Sequence, residues 1–363
     1  MLDLEKGIIH RGNWHRLEQV MARGSSGEPI TVGFIGGSIT QGSLSSTPET
    51  CYAYLVYRWW AEKFARVRYL NAGIGGTTSQ FGAARVREDL LSARPDVVFI
   101  EFSVNDADTD HFQETYEGLV RQVLAAGAAV VLIHNICYDT GISAERIHAA
   151  VGRHYDLPCV SMGSTVYPAV VSGRIPNRQI TPDDLHPNDA GHALVADVVK
   201  HLLNRVWEQK ETDPAPGPMG APLTANAYER SVRYQNHNAR PLLEGFVPDH
   251  TPQEHITQMF RRGFTAGKVG DKITFFVPGT GIAVQYRKSV RKPAPIARIT
   301  VDGNESASVL LDANFQEDWG DCLYIDTVLT HAEDILHRVE IEIVTAGEAD
   351  AVPFYLVSVI GSA

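Results

Sequence analysis

The chain has 363 residues, of which 44% are hydrophobic and 21% are charged, a composition typical of folded globular proteins. It carries 32 Lys and Arg against 43 Asp and Glu, which gives a formal net charge of −11 at pH 7. This acidic balance argues against nucleic acid and anionic membrane surfaces as partners. No uninterrupted run of about eighteen apolar residues is present, so the sequence predicts no membrane span.

The four cysteines are scattered along the chain and form no CxxC pair. They are Cys51, Cys137, Cys159 and Cys322. This usage is atypical of zinc ribbons and disulfide frameworks, and it fits a reducing compartment. Charges run throughout residues 1–20, which show no apolar stretch of a signal peptide. We therefore expect a cytoplasmic protein, whose oligomeric state stays open and is compatible with a homo-oligomer.

Apolar runs alternate with helical patterns up to about residue 207. Strands are predicted at 30–35, 67–71, 95–103, 128–134 and 158–163, and helices near 50–65, 80–93, 113–126 and 143–155. A closing helix at 189–207 carries apolar residues at helical spacing, from Leu194 to Val206. Such alternation predicts a parallel sheet that is covered by helices on both faces.

From about residue 263 the pattern changes to alternation with period two. In HRVEIEIV, Val339 and Ile341 alternate with Glu340 and Glu342, which is typical of a half-buried antiparallel strand. Asp302-Gly303 is a pair that favours a hairpin turn. The C-terminal part of the chain is therefore predicted to be an all-β sandwich or jelly roll.

Between these two patterns lies a segment with turn-forming composition. DPAPGPMGAP, at 213–222, holds four prolines and two glycines, and the residues that follow are polar. We therefore predict a catalytic α/β domain over 1–210, a linker and connecting segment over 211–262, and a β-sandwich domain over 263–363. The role of the residues between 223 and 262 stays open.

The first candidate site residue is Ser38, in the run GFIGGSIT at the end of the first predicted strand. Gly36 and Gly37 permit a tight turn there, at the edge where open α/β sheets bind ligands. The run lacks the Lys-Ser/Thr of a phosphate loop and the GxGxxG of a dinucleotide fold. It also departs from the GxSxG of α/β-hydrolases, because position 40 is Thr. A catalytic serine and a plain strand-to-helix turn both fit this motif.

The second candidate is the pair Asp183 and His186, in DDLHPN just before the closing helix. Their spacing lets one turn of chain present both side chains to one partner. A histidine that is oriented by a carboxylate is the base that a serine nucleophile requires. The same residue types also occur in loops as helix caps or solvated side chains.

Two further candidates, Gly76 and Asn105, follow predicted strands at the same sheet edge as Ser38. Gly76 lies in NAGIGGTT and offers a backbone N–H, and Asn105 lies in SVND and offers a side-chain amide. Donors of this kind stabilise a developing oxyanion, each by roughly 2.7–4 kcal/mol in comparable sites. Turn formation is the alternative reading, because Asn and Gly favour turns for local reasons.

Taken together, these four blocks resemble those of the SGNH/GDSL hydrolases over about residues 28–207. The resemblance implies a flavodoxin-like three-layer α/β/α fold and an esterase without a cofactor or a metal. It implies Ser38 as the nucleophile, Asp183 and His186 as its partners, and an oxyanion hole of Ser38, Gly76 and Asn105. The chain departs from the family's Gly-Asp-Ser in having Gly36-Gly37-Ser38, which affects the loop rather than the nucleophile.

The two-part layout also resembles carbohydrate esterases that carry a C-terminal β-sandwich, above all the mannan-oligosaccharide acetylesterases. This resemblance implies a serine esterase that removes acetyl groups from acetylated oligosaccharides. By analogy, Trp319 in NFQEDWG is a candidate to stack on a sugar ring. A Trp in the core or at an interface is an equally good reading.

Three other functions stay open. One is an esterase or lipase-like hydrolase that acts on a non-carbohydrate acyl ester with the same catalytic residues. Another is a glycan-binding protein whose α/β domain is inactive. The third is transfer of the acetyl group to an acceptor other than water, since transfer and hydrolysis share one acyl-enzyme.

Several polar residues have structural readings. Arg85, Arg87 and Arg94 are predicted to form a solvated helix face. Glu101 lies inside a buried strand pattern, where a carboxylate needs partners. His192 on the closing helix is interpreted as a surface or packing residue, because no histidine in the chain shows a metal-binding spacing such as HExxH.

Overall fold

A computed structural model describes residues 2–363. The chain divides into two units, of which the first extends to Glu229 and the second runs from Arg230 to Ala363. No helix in residues 2–363 combines the length and the apolar character that crossing a membrane requires.

The first unit is a sheet covered by helices. Its strands are β1 (Ile8–His10), β2 (Ile30–Gly36), β3 (Val67–Gly73), β4 (Val97–Glu101), β5 (Ala129–His134) and β6 (Cys159–Ser161). Its helices are α1 (His15–Ser25), α2 (Ser38–Gln41), α3 (Tyr52–Lys63), α4 (Ser79–Asp89), α5 (Asp110–Ala125), α6 (Glu145–His154), α7 (Val166–Val171), α8 (Asn177–Ile180) and α9 (Asp189–Glu208). Short 3₁₀ turns cover Leu4–Gly7, Pro48–Thr50 and Leu91–Ala93.

The strand order of this sheet is β1-β6-β5-β4-β2-β3. Strands β2 to β6 pair in parallel, and β1 pairs antiparallel with β6 at the edge. The five parallel strands thus have the flavodoxin-like order, in which β2 lies between β3 and β4 and the chain reverses its direction of progress across the sheet. Ligands of such sheets bind at the carboxyl ends of the strands beside this reversal.

Helices cover both faces because the parallel strands are apolar on both sides. Alternate residues of the strands, such as Val32 and Phe34, pack into one core cluster with residues of α1, α3 and α9. On the other side, α4 packs against α5 and α5 against α6. The predicted parallel α/β/α domain is confirmed. The strand β1 was missed, because three residues carry too little pattern to be recognised.

The second unit consists of antiparallel strands. They are β7 (Val232–Tyr234), β8 (Leu242–Glu244), β9 (Val247–Pro248), β10 (Phe264–Ala266), β11 (Lys272–Gly279), β12 (Gly281–Lys288), β13 (Ile296–Val301), β14 (Val309–Asp312), β15 (Cys322–Leu329), β16 (Ile335–Thr345) and β17 (Phe354–Ser362). One sheet has the order β15-β12-β17-β10-β9, with β7 also paired to β17, and the other has the order β14-β13-β16-β11-β8.

Residues from both sheets form one apolar core, as in a sandwich. In β16, Val339, Ile341 and Ile343 are buried, whereas Glu340 and Glu342 are more accessible, as the alternation predicted. Asp302-Gly303 follows β13, which pairs antiparallel with β14. Both turn residues have positive φ, as type I′ turns require. The predicted C-terminal β domain is therefore confirmed.

The segment 211–262, treated above as a connection, is divided between the two units. Its first part packs on α5, where the carboxylate of Glu117 accepts the N–H groups of Leu223 and Thr224 at 2.6 and 2.8 Å. An ion pair between Arg121 and Glu229 adds to this attachment. The part after Glu229 supplies β7, β8 and β9. Polar contacts hold the first part, which explains why no hydrophobic pattern revealed it.

Candidate active site

Ser38 lies where the strand β2 meets the short helix α2. A Cβ atom on Gly36 would come within 2.2 Å of Thr40 Oγ1, and one on Gly37 would come within 2.1 Å of Asn105 Oδ1. Gly36 therefore requires glycine, because a Cβ there would also lie 2.4 Å from the backbone carbonyl of Glu101, whereas a Cβ on Gly37 would displace the Asn105 side chain. The tight turn that results places Ser38 at the carboxyl edge of the sheet, 7% exposed.

His186 and Asp183 form a hydrogen-bonded chain with this serine. Ser38 Oγ lies 2.9 Å from His186 Nε2, and His186 Nδ1 lies 2.7 Å from Asp183 Oδ2. When Nδ1 donates to Asp183, Nε2 is the acceptor for the Ser38 hydroxyl. The structure thus brings together the three residues that the sequence analysis paired from separate motifs.

The electrostatics of Asp183 suit this arrangement. Burial raises the pKa of Asp183, but hydrogen bonds from the side chain and backbone of His186 lower it by more, so that the pKa lies below its usual value. Its Oδ1 accepts the backbone N–H groups of His186 and Leu185 at 2.7 and 3.1 Å. The carboxylate is therefore ionised at neutral pH, and it fixes both the imidazole and the loop that carries it.

The neighbouring Asp184 anchors that loop from its other side. Its backbone adopts φ = +69°, in the left-handed region, and its carbonyl accepts the N–H of Tyr138 at 2.7 Å. Its carboxylate accepts hydrogen bonds from Arg178 and Asn177. Asp184 thus binds partners other than His186, so the two adjacent aspartates have separate tasks.

Gly76 lies in a loop that passes beside Ser38. The residue before it, Gly75, comes so close that a Cβ placed there would lie 3.5 Å from the Cβ of Ser38. Gly75 donates its N–H to Gln41 Oε1 at 2.6 Å, and Gly76 adopts φ = +67°, which favours glycine. The loop that carries Gly76 therefore passes next to the serine.

Asn105 flanks the serine on the side of β4. Its side-chain oxygen packs against Gly37, immediately before Ser38, and its backbone N–H donates to the carbonyl of Phe102 at 3.0 Å. Gly76 and Asn105 thus follow the two strands that border β2. Ser38, His186, Asp183, Gly76 and Asn105 all lie at the carboxyl edge of one sheet.

Trp319 belongs to the second unit, in the loop between β14 and β15. It is 60% exposed, and its ring meets that of Phe315 edge to face, with 4.9 Å between the ring centroids. Its indole N–H donates to Glu317. The side chain is thus a supported, solvent-accessible aromatic surface, so the alternative reading as a core residue is wrong.

Asp189, at the start of α9, is a site-associated residue that sequence reasoning missed. Its carboxylate accepts hydrogen bonds from the N–H and hydroxyl of Ser46, at 2.8 and 2.6 Å, and from the hydroxyl of Thr50 at 2.7 Å. These hydrogen bonds lower the pKa of Asp189 to about 2. They tie the loop that follows α2 to the helix that follows His186.

His192 makes a second link between the same two segments. The ring is fully buried; Nδ1 accepts the N–H of Tyr52 at 3.3 Å, and Nε2 lies 3.2 Å from the carbonyl of Ser43. Burial lowers the pKa of His192 to about 4, although the hydrogen bond to Ser43 opposes this. Of the two interpretations given for His192, packing is therefore correct and a surface position is not. Its spacing of three residues from Asp189 was the available signal for a shared role.

Glu101, the last residue of β4, is buried, and one of its two carboxylate oxygens has hydrogen-bond partners. Oε1 accepts the N–H and the hydroxyl of Ser103 at 3.2 and 3.1 Å, and Oε2 has no hydrogen-bond partner within residues 2–363. Burial, opposed by these hydrogen bonds, raises the pKa of Glu101 to about 7. The expectation of a buried, partnered carboxylate holds for this residue.

The expectation for Arg85 is wrong. Its side chain is fully buried, and its guanidinium donates to the carbonyl of Gly36 at 3.3 Å and to Asp89 at 3.2 Å. The carbonyl at the end of β2 and a buried carboxylate provide the partners that a solvated surface would otherwise supply.

Within residues 2–363, no group of three or more His, Cys, Asp or Glu side chains is placed to hold a metal ion. All four cysteines are free thiols. The side chains that meet at the carboxyl edge of the sheet provide a serine hydroxyl, an imidazole, a carboxylate and an amide.

A model of the GDSL-like lipase and acylhydrolase family matches residues 34–194. This range contains Ser38, Gly76, Asn105, Asp183 and His186. A comparison with curated proteins found no match. A crystal structure of a two-domain esterase (CEX) active on acetylated mannans matches with 55% sequence identity. The match covers 100% of this chain and 99% of that chain, with a TM-score of 0.98. The chain therefore belongs to the GDSL-like acylhydrolases, or SGNH hydrolases, and is a carboxylic ester hydrolase.

A second solved structure is similar over its whole length. It is a two-domain esterase (CEX) active on acetylated mannans, co-crystallised with mannopentaose. Its sequence is 56% identical, the match covers 100% of this chain and 98% of that chain, and the TM-score is 0.96. Both comparisons extend through the second unit, so this chain shares the complete two-domain organisation of these esterases.

Proposed function

We propose that this protein is a serine esterase that removes O-acetyl groups from mannose-containing oligosaccharides. The observation that carries the proposal is the hydrogen-bonded chain from Ser38 through His186 to Asp183 at the carboxyl edge of the sheet. The substrate class is supported by the similarity, over the whole chain, to esterases active on acetylated mannans.

In the proposed reaction, His186 Nε2 takes the proton of the Ser38 hydroxyl while Oγ attacks the acetyl carbonyl carbon. Asp183 keeps the imidazole in the required tautomer and stabilises the imidazolium. His186 then gives the proton to the departing sugar oxygen, which leaves an acetyl group on Ser38. His186 then takes a proton from water, which attacks the acetyl-enzyme. As the bond to Ser38 Oγ breaks, His186 returns the proton to Oγ and acetate is released.

The carbonyl oxygen becomes negative in both tetrahedral intermediates. The backbone N–H groups of Ser38 and Gly76 and the side-chain amide of Asn105 are the proposed donors to it. Their support is the position of both loops beside Ser38 and the packing of the Asn105 amide against Gly37. Donors that are fixed before the reaction require no reorganisation when the charge develops, which is the source of their catalytic effect.

For the sugar, the proposed contact is the indole ring of Trp319. Its face offers an apolar surface to the C–H side of a pyranose ring, and Phe315 supports its orientation. Trp319 is 60% exposed, so its ring is accessible to a ligand.

The decisive experiment compares the wild type with Ser38→Ala on acetylated mannooligosaccharides and on 4-nitrophenyl acetate. We expect acetate release by the wild type and residual hydrolysis by the variant at least about 10³-fold lower, since the nucleophile is lost. An unchanged melting temperature would show that the variant is folded. Retained turnover by Ser38→Ala would contradict the assignment.

The same assay separates the remaining functions. A series of aryl esters with longer acyl chains would favour a lipase-like hydrolase if the longer chains reacted faster than acetate. Binding of oligosaccharide without acetate release would indicate a glycan-binding protein. Acetylation of an added alcohol in place of acetate release would indicate transfer.

A further inference from the structure

Asp106, immediately after Asn105, is a buried carboxylate with one partner on each oxygen. Oδ1 accepts the backbone N–H of Ser79 at 2.9 Å, and Oδ2 lies 3.0 Å from His148 Nε2. The side chains of Asp106 and His148 are both fully shielded from solvent. A buried carboxylate without partners would be strongly destabilising. The Asp106 carboxylate is therefore held at the position where it contacts both Ser79 and His148.

The contact to Ser79 reaches the loop that contains Gly76. Ser79 is the first residue of α4, and the N–H groups of a helix's first turn have no partner within the helix. The carboxylate of Asp106 supplies that partner, and its charge is favourable at a helix N-terminus. Because only Thr77 and Thr78 separate Ser79 from Gly76, this bond restrains the end of the Gly76 loop.

The backbone of Asp106 restrains the other donor. The N–H groups of Asn105 and Asp106 both donate to the carbonyl of Phe102, each at 3.0 Å. The loop from 102 to 106 is thereby closed into a turn that fixes the start of the Asn105 side chain. One residue thus connects the two loops that carry the proposed oxyanion donors.

The helices behind the site hold the carboxylate in place. His148 lies on α6, and its ring stacks on that of Tyr116 from α5, with 3.6 Å between centroids and 8° between planes. The hydroxyl of Ser79 makes a further hydrogen bond of 2.6 Å to Thr115 on α5. The position of Asp106 is therefore set by packed helices rather than by the loops themselves.

We propose that Asp106, held by His148, is the positioning residue for both oxyanion donors of the esterase. The proposal rests on the function proposed above. Asp106 acts through Gly76 and Asn105, because an oxyanion donor is effective only within about 2.7–3.1 Å of the developing charge. Loss of the carboxylate therefore weakens the stabilisation of the transition state and leaves Ser38, His186 and Asp183 in place.

The test compares Asp106→Ala with the wild type on 4-nitrophenyl acetate and on its thiono analogue, in which sulfur replaces the carbonyl oxygen. Sulfur accepts hydrogen bonds poorly, so the preference for the oxygen ester reports on the donors. We expect the kcat for the oxygen ester to fall by about 10²-fold with KM little changed. The preference for the oxygen ester should fall by a comparable factor. In Asp106→Asn, which retains an acceptor for the N–H of Ser79, both the kcat and this preference should fall by less.

Asp96→Ala is a matched control. The carboxylate of Asp96 also accepts a backbone N–H, that of Thr31 at 2.7 Å, and pairs with Arg23, but it precedes β4 at the opposite edge of the sheet. We expect a lower melting temperature and an unchanged preference for the oxygen ester. A general loss of structure would lower the rates of both esters equally, which separates it from a loss of donor alignment.

If Asp106→Ala does not fold, Ser79→Pro decides the question. Compared with Ser79→Ala, which also lacks the hydroxyl that bonds Thr115, proline removes the N–H that Asp106 receives. Proline is tolerated at the first helical position, and Thr78 before it is already extended. Ser79→Ala keeps that N–H and is its control. A wild-type preference for the oxygen ester in folded Asp106→Ala, or in Ser79→Pro, would overturn the proposal. Absence of ester hydrolysis by the wild type would instead overturn the proposed function.

Discussion

Two aspartates that are adjacent in sequence differ in function because only one of them faces the imidazole. Asp183 uses both carboxylate oxygens on His186, one on the ring and one on the backbone N–H. Asp184 is turned away and pairs with Arg178. The spacing of three residues selects Asp183 as the partner of His186, whereas the anchoring contacts of Asp184, whose backbone is left-handed, are seen only in the structure.

We therefore predict that Asp183→Asn lowers kcat on 4-nitrophenyl acetate by about 10⁴-fold, the effect of the corresponding change in the serine-protease triad. In this variant the side-chain amide N–H at position 183 would face His186 Nδ1, so the imidazole would carry its proton on Nε2. A protonated Nε2 cannot accept the hydrogen bond of the Ser38 hydroxyl.

The matched control for this prediction is Asp184→Asn, which keeps a residue that tolerates the left-handed region and leaves His186 untouched. We expect its kcat to stay within a few-fold of the wild type. Equal losses in the two variants, measured with their melting temperatures, would show that the loop as a whole and not the carboxylate of Asp183 is responsible.

At the scale of elements, α9 organises the site from outside the sheet. It begins three residues after His186, and its first turn holds the loop that follows the nucleophile through Asp189 and His192. The ring of His192 accepts at Nδ1, so that only a neutral imidazole with its proton on Nε2 satisfies both contacts. Protonation would direct a second N–H at the N–H of Tyr52.

This geometry predicts a pH dependence of stability. Since burial lowers the pKa of His192 to about 4, the unfolded chain binds a proton between about pH 6.5 and pH 4 that the folded chain does not bind. The stability that depends on a neutral His192 ring is fully present above pH 6.5 and is lost as the pH falls toward 4. In His192→Gln, the drop in the free energy of unfolding from pH 7 to pH 4.5 should be smaller by about 2 kcal/mol.

Urea unfolding at a series of pH values measures this difference directly as a free energy of unfolding. His154→Gln is the control, because it removes an exposed imidazole and leaves the buried ring of His192 in place. An equally steep acid destabilisation in His192→Gln would contradict the role given to the buried ring.

At the scale of the whole molecule, the chain joins an α/β unit that carries the proposed hydrolytic residues to an antiparallel β unit that carries Trp319. The similarity to two-domain esterases extends over both units. A small aryl ester offers no sugar ring, whereas an acetylated oligosaccharide does. The two substrate types therefore distinguish residues that perform the chemistry from residues that hold the sugar.

Accordingly, Trp319→Ala should lower kcat/KM for acetylated mannooligosaccharides by at least about fivefold, since aromatic anchors of binding sites commonly contribute more than 1 kcal/mol. Hydrolysis of 4-nitrophenyl acetate should be unchanged. Phe276→Ala, which removes another exposed aromatic ring of the same unit, is the control and should leave both activities intact. A parallel loss on the aryl ester would argue against a role confined to the sugar.

The amino-acid sequence by itself determined the two classes of secondary structure and the residues of the proposed triad. Period 2 and period 3.6 in hydrophobicity are local properties, and the Ser, Gly, Asn and His blocks each fit within a few residues. The cytoplasmic location inferred from cysteine usage stays a prediction. The place of residues 211–262 was beyond reach, since carboxylates such as Glu117 hold part of that segment without a hydrophobic pattern.

Only the tertiary structure decided which polar residues are buried and what they bind. Arg85 is a typical surface residue by type, yet the carbonyl of Gly36 and the carboxylate of Asp89 satisfy it inside the protein. Asp106 and His148 are 42 residues apart and show no shared motif. Such pairs form because every buried polar group needs a partner, and the partner is supplied by whichever element the fold packs against it.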